Sequence, residues 1–544
     1  MTPPLVWLSF AKGNARCCWD QDIIDVIAPP TSFQHITCQL GDNGKVTFAP
    51  GDGAVFVIPA RYNLEHVDRL NHYLNQYDWA VVILTSDEES LFPWRELVHR
   101  NIRIWVQSPR PDRHPSNIGL RFLPVGCPSQ NADTLADIDP ARAQSLMWFF
   151  SGQVNHWQRD EMLAAFTRIN SGWGQASPGF TQGLERGEYL RRFAEAQIAP
   201  CPSGPASADS FRVWEALELG LVPVVDGGPL PDPEGRAVTD YPRGFWELLL
   251  GEYPFPRVDD WQQARKAIRS FVNEWPYSAN RVFAWWQRKK WDLRQALLDD
   301  IVDLGGSAPT APELTVLIPT SPVVGNPDTA HIEQTVTSVR ERLPGCPIVL
   351  MFDGVRDEQE RLRTAYAEYV RRTLWLANHH WGNCFPFVHG EHLHQAEMTV
   401  RALDVVRSPL ILFVEHDTPL EGDVPWSQLT APLLTDKVDV VRLYHEAAVQ
   451  PEHEHLMGDH IGDFALTRQW SQRPHLARVD YYKRILRRFF SSRSRTMIED
   501  RMHGAVQDES WEAHRLVVYL PEGNCKRSTH LDARESEPKY EMRL

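Results

Sequence analysis

The stretch 199–228, APCPSGPASADSFRVWEALELGLVPVVDGG, holds residue types that can grip an anion. Ser203 and Gly204 lie in a polar loop, Asp209 and Ser210 are N-caps for a helix over 211–219 that Gly220 stops, Arg212 is in its first turn and Glu215 follows one turn later. A Gly/Ser-rich loop running into a helix N-terminus aims backbone N–H groups at one spot, which suits a diphosphate. Arg212 adds a fixed charge with a bidentate fork, and Glu215 can accept from ribose hydroxyls. The rival reading is an ordinary α/β crossover with capped ends. In the second half, acidic residues stand at the ends of apolar runs: Asp353 after 348–352, then Glu415 and Asp417 after 410–414. Pro319 closes the run LTVLIP, so strand ends at Pro319, Asp353 and Glu415/Asp417 succeed one another in order. Each carboxylate by itself also reads as a solvated turn or a helix cap. The segment 481–495, YYKRILRRFFSSRSR, interleaves Lys483, Arg484, Arg487, Arg488, Arg493 and Arg495 with aromatics. It suits an anionic acceptor such as a phosphorylated glycan, a lipid-linked diphosphate or nucleic acid, or else is a solvated helix face.

The elements that must position these groups alternate along the chain. Strands are predicted at 5–10, 54–58, 80–85 and 102–107, with helices at 20–27 and 64–77; this is the pattern of a parallel, doubly wound sheet. Lys12-Gly13-Asn14 is a loop placed to face a substrate. A polar linker covers 126–139, a second Rossmann-like unit runs from Trp148 to about Leu250, and helices 261–275 and 278–300 follow. The run 304–312, LGGSAPTAP, is the clearest linker. Beyond it come strands at 314–319, 348–352 and 410–414, with helices at 331–342, 358–370 and 395–406. The α/β domains are therefore expected at 1–303, divided near residue 140, and at 313–544.

Length and composition narrow the class. The chain has 544 residues, too many for one core, with 42% hydrophobic and 23% charged residues, as in a globular protein. A net charge of −15 argues against nonspecific nucleic-acid binding but not against a local basic patch. The 8 Cys include the neighbours Cys17 and Cys18 but show no zinc-like spacing, which suits a reducing cytoplasm. No export signal or apolar run of membrane-spanning length is read, so a cytoplasmic protein without a membrane span is expected. The 20 Trp suit stacking on sugar faces as well as core packing.

The motif S-G…D-S-F-R-V-W-E-A-L-x-L-G-x-V-P-V-V resembles the donor-binding segment of exostosin-like glycosyltransferases, which have the GT-B fold. Phe149-Phe150-Ser151-Gly152-Gln153 followed by Arg159 is similar to that family's strand and loop opening the donor subdomain, and Gly187-Glu188-Tyr189 to its G-x-Y helix. The resemblance spans about residues 5–298 and is sharp between 149 and 226. It implies nucleotide-sugar binding by Arg159, Ser203, Gly204, Ser210, Arg212 and Glu215. Asp20 and Asp22 are candidates for a catalytic base from their place near the first βα loop. The membrane-anchored members of the class match the whole chain poorly. Residues 410–417, LILFVEHD, resemble the DxD strand of GT-A glycosyltransferases, with Glu in place of the first Asp. That implies a divalent cation, Mn²⁺ or Mg²⁺, held by Glu415 and Asp417, with His530 as third ligand and Pro319 and Asp353 on the donor side. A surface histidine is the alternative for His530. Met497-Ile498-Glu499-Asp500 resembles the ED motif of inverting family-2-like enzymes, which implies a catalytic base at Asp500 or Glu499; acids complementing a helix N-terminus are the alternative. Gln472-Arg473-Pro474-His475 is placed toward the acceptor side.

The fold expected is thus GT-B, two Rossmann-like subdomains, followed by a GT-A Rossmann-like domain. The function expected is a bifunctional hexosyl- or pentosyltransferase using two nucleotide-sugar donors, UDP-sugars first among them, in sequence on one hydroxylated acceptor. The alternatives are one catalytic half with a non-catalytic binding half, or a DNA-modifying transferase acting on a hydroxylated base.

Overall fold

The computed structural model describes residues 3–10, 21–39, 52–115, 119–179, 182–204, 206–228, 243–307, 309, 312–491 and 495–531. The Lys12-Gly13-Asn14 loop, Cys17, Cys18, Asp20 and Arg493 lie outside these residues. The chain divides into two compact units, Met1–Thr310 and Ala311–Leu544.

In the first unit, the described residues form two parallel sheets. Strands β1 (Pro4–Ser9), β2 (Gln34–Gln39), β3 (Gly53–Pro59), β4 (Trp79–Thr85), β5 (Ile102–Gln107) and β6 (Arg121–Leu123) lie in the order β2-β1-β3-β4-β5-β6. Every residue of β3 and β4 is buried, as continuous apolar runs in a sheet covered on both faces must be. The second sheet has β7 (Leu146–Gln153), β8 (Gly172–Ser177), β9 (Ala196–Cys201), β10 (Val222–Asp226) and β11 (Arg257–Val258) in the order β11-β10-β9-β7-β8. The winding reverses between β7 and β9. A crevice at the carboxyl ends of strands flanking such a reversal is where open α/β sheets bind ligands.

The helix Tyr277–Asp303 ties the two sheets together. Glu218 accepts from Trp286 Nε1 at 2.6 Å and Lys290 Nζ at 2.8 Å, while Asp300, nearer the helix end, accepts from Trp105 Nε1 at 2.9 Å and Arg121 at 3.1 Å. Asp209 makes a second tie. It accepts from Ser108 Oγ (2.9 Å) and Val125 N (3.0 Å) of the first sheet's side, and from Trp214 Nε1 (2.7 Å).

Two helix expectations shift for identifiable reasons. The helix expected over 64–77 is a 3₁₀ segment Ala60–His66, itself interrupted at Asn63 (φ −120°, ψ 16°), and a helix Val67–Leu74 that starts after His66 (φ −115°, ψ 16°). The buried Asn63 side chain accepts from Phe10 N at 2.9 Å and donates to Pro59 O at 2.9 Å, so it serves the end of β1 instead of the helix. The helix expected from Glu358 begins as a 3₁₀ turn Asp357–Leu362 and becomes regular over Arg363–Leu376.

In the second unit, nine strands among the described residues form one mixed sheet: β12 (Leu314–Thr320), β13 (Ile348–Phe352), β14 (Cys384–Val388), β15 (Leu410–Phe413), β16 (Val440–Leu443), β17 (Met457–Ile461), β18 (Phe464–Thr467), β19 (His475–Arg478) and β20 (Leu516–Tyr519). Their order is β14-β13-β12-β15-β19-β16-β20-β18-β17. The first four are parallel, and β19 is antiparallel to both β15 and β16. The winding reverses between β12 and β15, so the carboxyl ends of those strands flank a second crevice. Helices His394–Leu403 and Val479–Phe489 share a core with Leu317, Met351, Phe413 and Trp470 beneath them.

Candidate functional site

The first unit collects its cationic groups where β7 and β9 end. The Arg212 guanidinium, from the first turn of helix Phe211–Glu218, donates to Ser151 O at 2.5 Å and lies over the Phe150 ring, 4.3 Å from its centroid. Gly152 makes room for it: a Cβ there would stand 2.3 Å from Arg212 Nη2. Arg159 approaches from helix Trp157–Phe166, donating through Nε to Ser203 O at 3.0 Å and through Nη1 to Gln153 O at 2.8 Å. Both guanidinium groups thus rest on backbone carbonyls, and among the described residues neither forms an ion pair. Burial, and then the charge of Arg212, push Arg159 down to about 10. Ser210 Oγ and Arg212 Nε are buried without a hydrogen-bond partner among the described residues. Two adjacent cations, a helix N-terminus and unspent donors form a cradle for an anion.

Not every residue expected here faces that cradle. Ser203 donates both N and Oγ to Asp226 at the end of β10, which holds the loop in place, and Gly204 N closes a turn on Ser207 O at 2.9 Å. Glu215 is 4% exposed, and its carboxylate is taken up by Tyr189 Oη (2.8 Å) and the Arg186 guanidinium. Arg186 in turn donates to Asn131 at 2.7 Å. Glu215→Ala is expected to lower the unfolding free energy by about 1–3 kcal/mol in urea denaturation, since it strands the buried Tyr189 hydroxyl and leaves the partly exposed Arg186 without its carboxylate. Asp209 proves to be the inter-sheet tie described above, so Ser210 alone stands at the N-cap. Asp22 lies in helix Gln21–Ile27, and burial and the charge of Glu218 push its carboxyl up to about 7.

In the second unit a cavity of about 320 Å³ opens beside the end of β15. Its walls include Glu415, Arg442, His445, Arg473, Glu499 and His530. Gln395 sets the spacing of the two carboxylates: its Nε2 donates to Glu415 at 3.3 Å, and its Oε1 accepts from Ile498 N at 3.0 Å, where the helix bearing Glu499 starts. Burial pushes the Glu499 carboxyl up, against a hydrogen bond from the Gln472 backbone and the charge of Arg473. Asp417 sits behind His530, with 3.5 Å between Oδ2 and Nε2. Burial alone would raise its carboxyl, but the His530 hydrogen bond and the charges of His416 and His530 hold it well below the usual range. Among the described residues no group of three His, Cys, Asp or Glu is placed to hold a metal ion. As arranged, these residues do not fit a metal centre.

The other expected residues lie elsewhere. Asp500 turns back on its own helix start, accepting from Met497 N at 3.3 Å. Asp353 caps helix His394–Leu403, accepting from Leu393 N (2.7 Å), His394 N (3.0 Å) and Gly354 N (2.9 Å), with His392 Nδ1 at 2.8 Å. Pro319 is buried within β12, paired with Met351.

No family model matches the chain, and no curated protein matches it. Among solved structures it is similar to the mannosyltransferase PcManGT from Pyrobaculum calidifontis in complex with GDP-Man and Mn²⁺, with 13% identity, a TM-score of 0.27, and coverage of 39% of this chain and 55% of that one. It is also similar to S. aureus TarS, at 12% identity and a TM-score of 0.26, covering 40% of this chain and 36% of that one. A structure of TarS 1-349 gives 12% identity, a TM-score of 0.27, and coverage of 40% and 60%. The chain spans less than two thirds of the length of each of these proteins.

The basic segment folds as helix Val479–Phe489 with Tyr481, Tyr482, Ile485 and Leu486 inward. Lys483, Arg484, Arg487, Arg488 and Asp480 line a shallow surface cavity of about 460 Å³. Arg488 pairs with Glu509 at 2.6 Å, and Arg484 lies 3.7 Å from Asp439, so part of this charge is already countered. Among the described residues no helix is long and apolar enough to cross a membrane. Sequence reading missed Arg442, Asp226, Arg186 and Gln395. A signal for Arg442 was present, a lone charge inside the apolar strand VVRL.

Proposed function

We propose that the chain is a nucleotide-sugar-dependent glycosyltransferase with a donor site in each unit, the first GT-B-like (1–303, subdomains meeting near 140) and the second GT-A-like (313–544), joined by 304–312. The observation that carries this reading is the pair Arg159 and Arg212: two half-buried, adjacent guanidinium groups that donate to backbone carbonyls and, among the described residues, pair with no carboxylate, at the carboxyl ends of strands where the sheet reverses. A diphosphate supplies the charge that they lack. In the first unit, Arg159 and Arg212 hold the donor's diphosphate against the helix N-terminus, while Glu215 and Asp226 keep the loop and helix in register. In the second, Glu499 takes the proton from an acceptor hydroxyl entering the cavity as that hydroxyl attacks the anomeric carbon from the face opposite the leaving diphosphate, which inverts configuration. Asp500 keeps its helix start in place. The basic helix suits an acceptor that carries negative charge. A UDP-sugar is the first donor to try.

The test is a donor panel on the full chain and on Arg212→Ala and Glu499→Gln variants, reading release of nucleoside diphosphate. Two donor classes, each lost in one variant only, support two transferase sites. Turnover of a single donor, insensitive to one of the variants, makes that unit a binding module. No turnover of any nucleotide-sugar overturns the reading.

A further inference from the structure

Arg442 projects from β16, a strand buried between β19 and β20, and is 5% exposed. A guanidinium so placed has lost its water and must find other partners. It has few. Nη1 reaches Gln469 O at 3.4 Å, the Tyr444 ring centroid lies 6.0 Å away, and among the described residues it makes no ion pair. It opens instead on the cavity beside β15, where Arg473 and His445 stand in the same wall. Burial, with Arg473 and Arg442 beside it, pushes His445 down to about 4 and so keeps the ring uncharged, while the carboxylates Glu415 and Glu499 line the same cavity. Burial likewise pushes Arg442 down to about 10 although Tyr444 and Glu499 favour its charge.

We propose that Arg442, Arg473 and His445 form a phosphate-binding wall in the second unit, next to Glu499. Two guanidinium groups from different segments, β16 and the loop before β19, converge with an imidazole on one space, which matches the several faces of a tetrahedral phosphate better than a planar carboxylate. The cavity of about 320 Å³ has room for one or two phosphate groups. The phosphate belongs either to the donor's diphosphate or to a phosphorylated acceptor. The inference rests on the transferase reading only for that choice of source; the anion site stands on its own residues.

The probe is inorganic pyrophosphate, titrated by calorimetry into the full chain carrying Arg212→Ala, so that the first unit's cradle does not contribute. One binding site is expected to remain. Arg473→Gln, a change at a half-buried loop position, should weaken it by at least tenfold with no shift of the melting temperature. Arg442→Met, which fills the same space without charge, serves as the second variant and should do the same. Unchanged pyrophosphate affinity in both variants, or no binding before either change, overturns the wall. In turnover assays on the chain with Arg212 intact, pyrophosphate inhibition competitive with donor assigns the phosphate to the nucleotide-sugar, and inhibition competitive with acceptor assigns it to the acceptor. Arginine-dependent pyrophosphate binding in a chain that turns over no nucleotide-sugar leaves the wall standing and removes the transferase reading. Turnover that persists without such binding does the reverse.

Discussion

Replacing Arg212 with alanine is expected to lower the first unit's donor turnover by tens to several hundred-fold while the second unit's turnover stays at the wild-type level. The guanidinium is held over Phe150 and against Ser151 O, half-buried and with Nε unspent, so its charge is aimed before any ligand arrives. Losing one such preorganised, charge-assisted contact costs about 2–4 kcal/mol of transition-state stabilisation, and each 1.4 kcal/mol is about tenfold in rate. Lysine at 212 keeps the charge but not the fork and should recover only part of the loss. Gly152→Ala gives an independent check, because its Cβ would press on Nη2 and push the guanidinium away without removing it. Steady-state release of nucleoside diphosphate measures all three. Wild-type kcat/KM in both Arg212→Ala and Gly152→Ala would show that the cradle holds no donor.

What was legible in the sequence is what depends on near neighbours. Ser210 and Arg212 belong to one loop-helix segment, so their types and spacing already place a polar helix start beside a cation, and Gly220 (φ +69°) stops the helix as its position suggested. Glu215 shows the limit. Its spacing is compatible with reaching ribose, but its partners Tyr189 and Arg186 come from 26 and 29 residues upstream. Asp209 looked like a cap and is a tie to Ser108, 101 residues away, because a buried carboxylate goes wherever the tertiary fold brings donors. In the second unit the parallel strands β12, β13 and β15 are apolar runs that can be read directly. The strands β16, β18, β19 and β20 have four residues each, too few for alternation to separate them from loops, and with them went Arg442. Glu415 and Asp417 lie two residues apart in sequence, but Gln395 engages one and His530 the other, partners that only the tertiary fold brings.

Glu499→Gln is expected to lower the second unit's kcat by about 10²–10⁴-fold with donor binding retained, the loss associated with removing a positioned general base. The same position sets a pH dependence. Burial outweighs the Gln472 backbone hydrogen bond and the Arg473 charge, so the carboxyl titrates above the ordinary glutamate range. A base acts only when deprotonated, so turnover should fall as pH drops through that raised pKa and level off above it. In the Gln variant this acid limb should disappear and the residual rate should be flat across the same range. Asp500→Asn separates the two neighbouring acids. Asp500 accepts from Met497 N at its own helix start, so its loss should appear as about 0.5–2 kcal/mol of stability with turnover retained. A pH–rate profile of kcat/KM with urea unfolding of both variants decides the matter. If Asp500→Asn abolishes turnover and Glu499→Gln does not, the base is Asp500, and the cavity that Gln395 builds between Glu415 and Glu499 is not where the proton is taken.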